Sequence, residues 1–169
     1  VMVTMAKSSA DRICEVLKEK SSMENKPGAV RTVADGSIQF ADVCFSYHGD
    51  AENLHLSHVN LDIKSGMTVG ILGGTGSAKS TLVQLIPRLY DVTSGSVQVG
   101  GLDVREYDME ALRNEVSMVL QKNVLFSGTI AENLRWGNKE ASQEELERVC
   151  RLACAHEFIE KFPDGYETY

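Results

Sequence analysis

The residues best able to do chemistry lie at positions 68–81, TVGILGGTGSAKST. Val69, Ile71 and Leu72 form a short apolar run that reads as a buried strand and ends abruptly in glycines. Lys79, Ser80 and Thr81 follow, and Leu82, Val83, Leu85 and Ile86 then read as a helix. Strand, glycine-rich turn and helix in that order are the setting a phosphate-binding loop requires. Successive backbone N–H groups of such a turn, with the start of its helix, make a concave donor surface for phosphate oxygens. Lys79 would place a point charge on the β- and γ-phosphates, and the Ser80 hydroxyl would ligate Mg²⁺. One position departs from the pattern G-x-x-x-x-G-K-[ST], because Ala78 stands where glycine is expected, while Gly73, Gly76, Lys79 and Ser80 fit. An ordinary glycine turn with a surface lysine would require none of this spacing. Since residue 78 directly precedes the helix, its φ is expected to be negative, and crowding of a bound phosphate is the expected effect of its methyl group.

The flanking elements must position that loop. Val1–Lys20 carries Val3, Ala6, Ala10, Ile13, Val16 and Leu17 at helical spacing, which suits either the tail of a longer helix or an amphipathic helix of its own. Residues 21–36 are polar, contain Pro27, Gly28 and Gly36, and read as a linker. Alternation then begins. Ile38, Phe40, Val43 and Phe45 are spaced as a strand with a bulge, followed by Tyr47 in FSYHGD, and Leu54–Ile63 reads as a second strand region. Pro87 should end the loop helix. Further along, the pattern predicts a strand at 96–99, a short helix at 110–114, a buried strand at 116–120 leading to Gln121, and a helical turn at 130–134. Ser142-x-x-Glu145 opens a long helix expected to run to about Phe162, with Leu146, Val149, Cys150, Ala153, Cys154 and Phe158 on one face.

Composition narrows the function classes. A chain of 169 residues can bury a real core, and its 43% hydrophobic and 24% charged residues are ordinary for a globular protein. The net charge of −7, with no basic stripe, argues against a nucleic-acid partner. Four cysteines in a chain this long do not resemble a disulfide framework and point to a reducing compartment. Cys150 and Cys154 are four apart, but no Cys/His pair elsewhere has the spacing to complete a metal site, so small core residues are the better reading.

The order of the pieces resembles the nucleotide-binding domain of ABC transporters. The likeness rests on the aromatic in FSYHGD, the loop GGTGSAKST, and VLQKNVLFSGTIAENLRWG after a later strand. LIPRLYDVTSGSV and LFSGTIAENL are most similar to the exporter branch, multidrug and lipid exporters of bacterial type. The resemblance spans about Ser37 to the end. It implies an α/β fold, a P-loop NTPase core with an antiparallel β flank. Residues 1–36 would be the end of a transmembrane-domain helix plus linker, and 37–169 the N-terminal part of an incomplete nucleotide-binding domain. The family's LSGGQ-like signature, second acidic strand with its glutamate, and switch histidine are then expected beyond Tyr169. His48, His55, His58 and His156 lie in the wrong places for that histidine and read as surface or loop residues.

The same resemblance assigns roles by position. Tyr47 would stack on adenine through its ring face alone, so that Phe or Trp should serve as well. Gly73, Gly74, Thr75, Gly76, Ser77, Ala78, Lys79, Ser80 and Thr81 would form the phosphate loop, with Lys79 also catalytic. Gln121 would reach Mg²⁺ and the attacking water, and residues 123–133 would receive short helices of the membrane domain. The implied ligands are ATP and Mg²⁺. The implied partners are a second nucleotide-binding domain, in a homo- or heterodimer, and a transmembrane domain of the same polypeptide. The domain would lie on the cytoplasmic side of the cell membrane. Rival readings are a degenerate, binding-only partner, which Ala78 would suit, and a soluble P-loop kinase or non-transport ABC ATPase, which the opening helix and linker do not suit.

Overall fold

A computed structural model describes the backbone of residues 2–50 and 52–169 and, from Lys7 onward, their side chains. Val1 and the side chains of Val3 and Ala6 fall outside the described part. The chain divides into two compact units, Val1–Met118 and Val119–Tyr169.

The first unit opens with α1 (Met2–Lys18), whose Ile13, Val16 and Leu17 are exposed. Among the described residues no helix is long and apolar enough to cross a membrane. A four-stranded antiparallel sheet follows, in the order β2-β1-β3-β4, built from β1 (Ile38–Phe45), β2 (Leu56–Ile63), β3 (Ser94–Val99) and β4 (Leu102–Asp103). The central strand β1 pairs through Phe40 with Leu61 on one side and Val97 on the other. Its expected bulge is present, as register breaks between Phe40 and Val43 and between Val43 and Phe45 against β2. There two non-glycine residues turn left-handed, Asp42 at φ 49° and His58 at φ 50°. The contact of His58 Nδ1 with Asp42 Oδ1 at 2.7 Å, and the Asp42 N–H donated to Asn60 Oδ1 at 2.9 Å, hold that kink together.

The sheet carries the phosphate-loop helix on its core. Phe40, Phe45, Val97, Leu112 and Leu85 form one buried cluster, with Leu82, Ile86 and Ala78 packed against it. The helix α2 is short, Lys79–Gln84, and a turn carries the chain on to Pro87, which cannot donate to a helical ladder. Arg113 of α3 (Met109–Asn114) fixes the exit by donating to the carbonyls of Pro87 at 3.2 Å and Arg88 at 2.7 Å.

The polar stretch 21–36 is tied to this body. The Asn25 amide accepts from Met109 N–H at 2.9 Å and donates to Asp108 Oδ2 at 2.8 Å. Asp108 itself caps α3 by accepting from Ala111 N–H at 3.0 Å. Val30 bridges Tyr107 in parallel, donating to Glu106 O at 2.9 Å and accepting from Asp108 N–H at 2.8 Å. Lys26 pairs with Glu106.

Two expected strands do not form. Positions 68–72 and 116–120 belong to no sheet; Leu72 is 97% exposed, and Val119 and Leu120 are exposed too. Apolar residue types alone do not make a strand. A ladder needs a hydrogen-bonding neighbour on at least one side, and among the described residues none pairs with either run.

In the second unit, α4 (Ile130–Leu134) begins in a full capping box of Thr129 and Glu132. The helix α5 (Gln143–Leu152) is capped by Ser142, as its sequence predicts, but it stops well short of Phe162, and α6 (His156–Ile159) follows as a separate piece. The break is at Cys154, left-handed at φ 57°, where Ala155 N–H bonds back to Cys150 O at 2.8 Å. Leu146 and Cys150 enter a core with Ala131, Ile159 and Tyr166, whereas Cys154 and Phe158 are exposed. The break rotates them off the buried face.

Gly95 is the least replaceable residue of the sheet. It has φ 80°, and a Cβ there would sit 2.5 Å from the Ala41 carbonyl oxygen and overlap that of Asp42. Gly95→Ala is expected to lower unfolding free energy by about 3 kcal/mol, since left-handed strain and a backbone clash add. A denaturant midpoint within error of wild type would refute that.

Candidate nucleotide site

The loop before α2 has two glycines with distinct physical demands. A Cβ on Gly73 would fall 2.5 Å from Ser77 Oγ, and Gly76 is left-handed at φ 84°. Gly74 has open space around it and no left-handed φ. The Lys79 ammonium folds back over the loop and donates to Gly73 O and Gly74 O, each at 2.7 Å, and to Ser77 Oγ at 3.1 Å. Its three donors are thereby used in holding the turn. The N–H groups of Gly74, Thr75 and Gly76 find no acceptor among the described residues. A ring of open N–H donors beside an ammonium fits a polyanion and nothing cationic.

Ala78 overturns the expected conformation. It is left-handed, φ 57° and ψ 22°, and gives α2 no side-chain cap. Its methyl group packs against the core beneath the loop. The left-handed backbone adds strain to the cost of the missing glycine, and burial of the methyl offsets part of it.

Ser80 is exposed on α2, and Thr81 is buried beside it. Tyr47, at the end of β1 and 43% exposed, places its Oη 2.9 Å from Thr81 Oγ1 and 3.5 Å from Gln84 Oε1. Its ring stands edge-on to three others: Phe45 at 4.8 Å and 82°, His55 at 4.8 Å and 79°, and Tyr90 at 5.1 Å and 87°. The fold thus brings Tyr47 against Thr81, two residues beyond Lys79. His55, Gln84 and Tyr90 were missed by the sequence reading, and no local pattern could have found them, because the cluster draws on separate segments of the chain.

Gln121 belongs to the second unit, on an exposed bend. That unit also presents Val124, Leu125, Phe126 and Trp136 to solvent, with Phe126 stacked on Trp136 at 4.6 Å and 19°. An apolar groove of about 510 Å³ runs past Leu125, Phe126, Ile130, Phe158, Phe162 and Tyr169.

A sequence model of the family described as ABC transporter matches residues 56–166. The chain belongs to the ABC transporter family. Among its relatives, the ATP-binding/permease protein YgaD of Bacillus subtilis (strain 168) is 46% identical over 169 residues, covering 98% of this ABC transporter chain and 29% of the relative. The ATP-dependent lipid A-core flippase of Desulfotalea psychrophila is 39% identical over 162 residues, 95% of this chain and 28% of the flippase. A structure of a bacterial Atm1-family ABC exporter with ATP bound superposes with a TM-score of 0.89 at 28% identity, covering 98% of this chain and 29% of that one. The chain therefore spans under a third of the length of these relatives. Its fold is the α/β P-loop type of the family, with the antiparallel flank the sequence implied.

The left-handed Ala78 makes a numerical prediction. Relief of strain in Ala78→Gly is worth roughly 1–2 kcal/mol, and loss of the packed methyl costs about 0.8 kcal/mol. The unliganded protein should gain no more than about 1 kcal/mol in thermal or denaturant unfolding. Its ATP affinity should stay within about twofold, since the methyl faces the core. A tenfold tightening of ATP binding would restore the crowding explanation.

Proposed function

We propose that this chain is the ATP-binding part of an ABC exporter, whose parent protein hydrolyses MgATP and uses domain closure to move a solute across the membrane. The observation that carries the reading is the Lys79 ammonium held over the Gly73 and Gly74 carbonyls beside three open N–H groups. In this reading residues 73–78 wrap the phosphates, Lys79 neutralises charge on the β- and γ-oxygens, and Tyr47 stacks on the base. Ser80 and Gln121 would hold Mg²⁺, with Gln121 also orienting the attacking water. When bound, Mg²⁺ offsets the charge that develops as the γ-phosphoryl group transfers. A hydroxyl and an amide oxygen are each hard ligands of the kind that ion takes.

The exposed apolar face of the second unit supports a docked protein partner. Short helices of a transmembrane domain on the same polypeptide are the proposed occupant, a reading favoured by relatives named as ATP-binding/permease proteins. A second nucleotide-binding domain, identical or not, would complete the catalytic assembly on the cytoplasmic side of the cell membrane. Ala78 favours a second reading, a degenerate partner in a heterodimer that binds ATP with little hydrolysis. Steady phosphate release from the assembled transporter at this site, measured with the partner site inactivated, would exclude it.

Two results test the main reading. Lys79→Ala should abolish ATP binding, and Tyr47→Ala should weaken it by roughly 1–3 kcal/mol, the scale of base–aromatic stacking. Unchanged affinity in either titration would refute the role assigned to that residue. Residues 1–169 by themselves should bind MgATP without turnover above background, because they supply cradle and base platform but no assigned carboxylate to activate water. Mg²⁺-dependent phosphate release from that chain, lost in Lys79→Ala, would place the catalytic base within it.

A further inference from the structure

The Tyr47 ring is steadied by three perpendicular neighbours, so its hydroxyl is not required to fix the ring. That hydroxyl nevertheless reaches into the phosphate-loop helix, to Thr81 Oγ1 at 2.9 Å, two residues beyond Lys79. Thr81 is 6% exposed and lies in the first turn of α2. Resting on the nucleotide reading above, we infer that the Tyr47 hydroxyl is a positioning group that couples the base platform to the phosphate loop through Thr81. This goes beyond the expectation that only the ring face of Tyr47 counts.

The chemistry of the pair leaves the coupling open to either donor. Either hydroxyl can donate across the 2.9 Å contact of Tyr47 Oη with Thr81 Oγ1, and Tyr47 Oη also lies 3.5 Å from Gln84 Oε1. A phosphate oxygen can only accept a hydrogen bond. When the Thr81 O–H points toward one, Tyr47 can donate to Thr81. The short oxygen–oxygen contact then persists, and no proton changes its atom. Base and phosphates are then sensed by one hydrogen-bonded unit, with the ring at one end and the first turn of α2 at the other.

A ligand without a base separates this from simple support of the ring. Binding of ATP and of inorganic tripolyphosphate, each with Mg²⁺, is measured by calorimetry in the full polypeptide that contains this chain. Tripolyphosphate cannot touch the face of Tyr47. Tyr47→Phe and Tyr47→Trp, which keep a ring and lose the hydroxyl, should still weaken its binding about three- to tenfold, the scale of one neutral hydrogen bond. Added to Thr81→Val, Tyr47→Phe should cause no further loss, since the partner oxygen is already gone. Unchanged tripolyphosphate binding in Tyr47→Phe overturns the coupling, whether ATP binding is kept or weakened. Lys79→Ala serves as the control: survival of both ligands there overturns the nucleotide reading itself, a different failure with a different signature.

Discussion

Leu85 has no exposed surface, and its burial among Phe40, Phe45, Val97 and Leu112 is the constraint on which the site depends. It fixes the end of α2 on the antiparallel sheet, and the loop of residues 73–78 is aimed by that helix. Fully burying a leucine side chain is worth about 1.5–3 kcal/mol. That exceeds the strain of roughly 1–2 kcal/mol at Ala78, which the same packing imposes on the residue before the helix. The loop can therefore keep a left-handed turn without glycine, because the core beneath it decides where the helix begins.

The same sheet brings the aromatic site to the phosphate loop. β1 ends at Phe45, which is buried, and Tyr47 follows in the turn two residues on, its ring 4.8 Å from that of Phe45. Bulges at Asp42 and His58 bend the strand before it reaches that point, and Gly95 admits the bent backbone where no side chain would fit. Irregularities that look like defects in the ladder thus set where Tyr47 emerges. The hydroxyl pair with Thr81 then links two segments that lie 34 residues apart.

Local chemistry was legible wherever it was written in neighbouring residues. Ser142 caps the helix it precedes, and alternation marked β1 and β2. Misreadings arose where a distant partner decides. Val69, Ile71 and Leu72 have the composition of a buried strand, but a strand exists only when another backbone supplies its hydrogen bonds. The helix expected to reach Phe162 breaks at Cys154, because packing of Ile159 and Tyr166 with Leu146 and Cys150 requires the chain to turn.

By itself, then, the sequence determined the residue types of the candidate site and their spacing: glycines, a lysine and hydroxyls at fixed intervals, and an aromatic in the right order along the chain. These rest on covalent neighbours, and distance along the chain fixes them. Tertiary structure alone decided the sign of φ at Ala78, the three rings around Tyr47, and the bond from its hydroxyl to Thr81. Each of those depends on segments far apart in sequence that meet only when the core closes, and no periodicity or motif carries a record of where they meet.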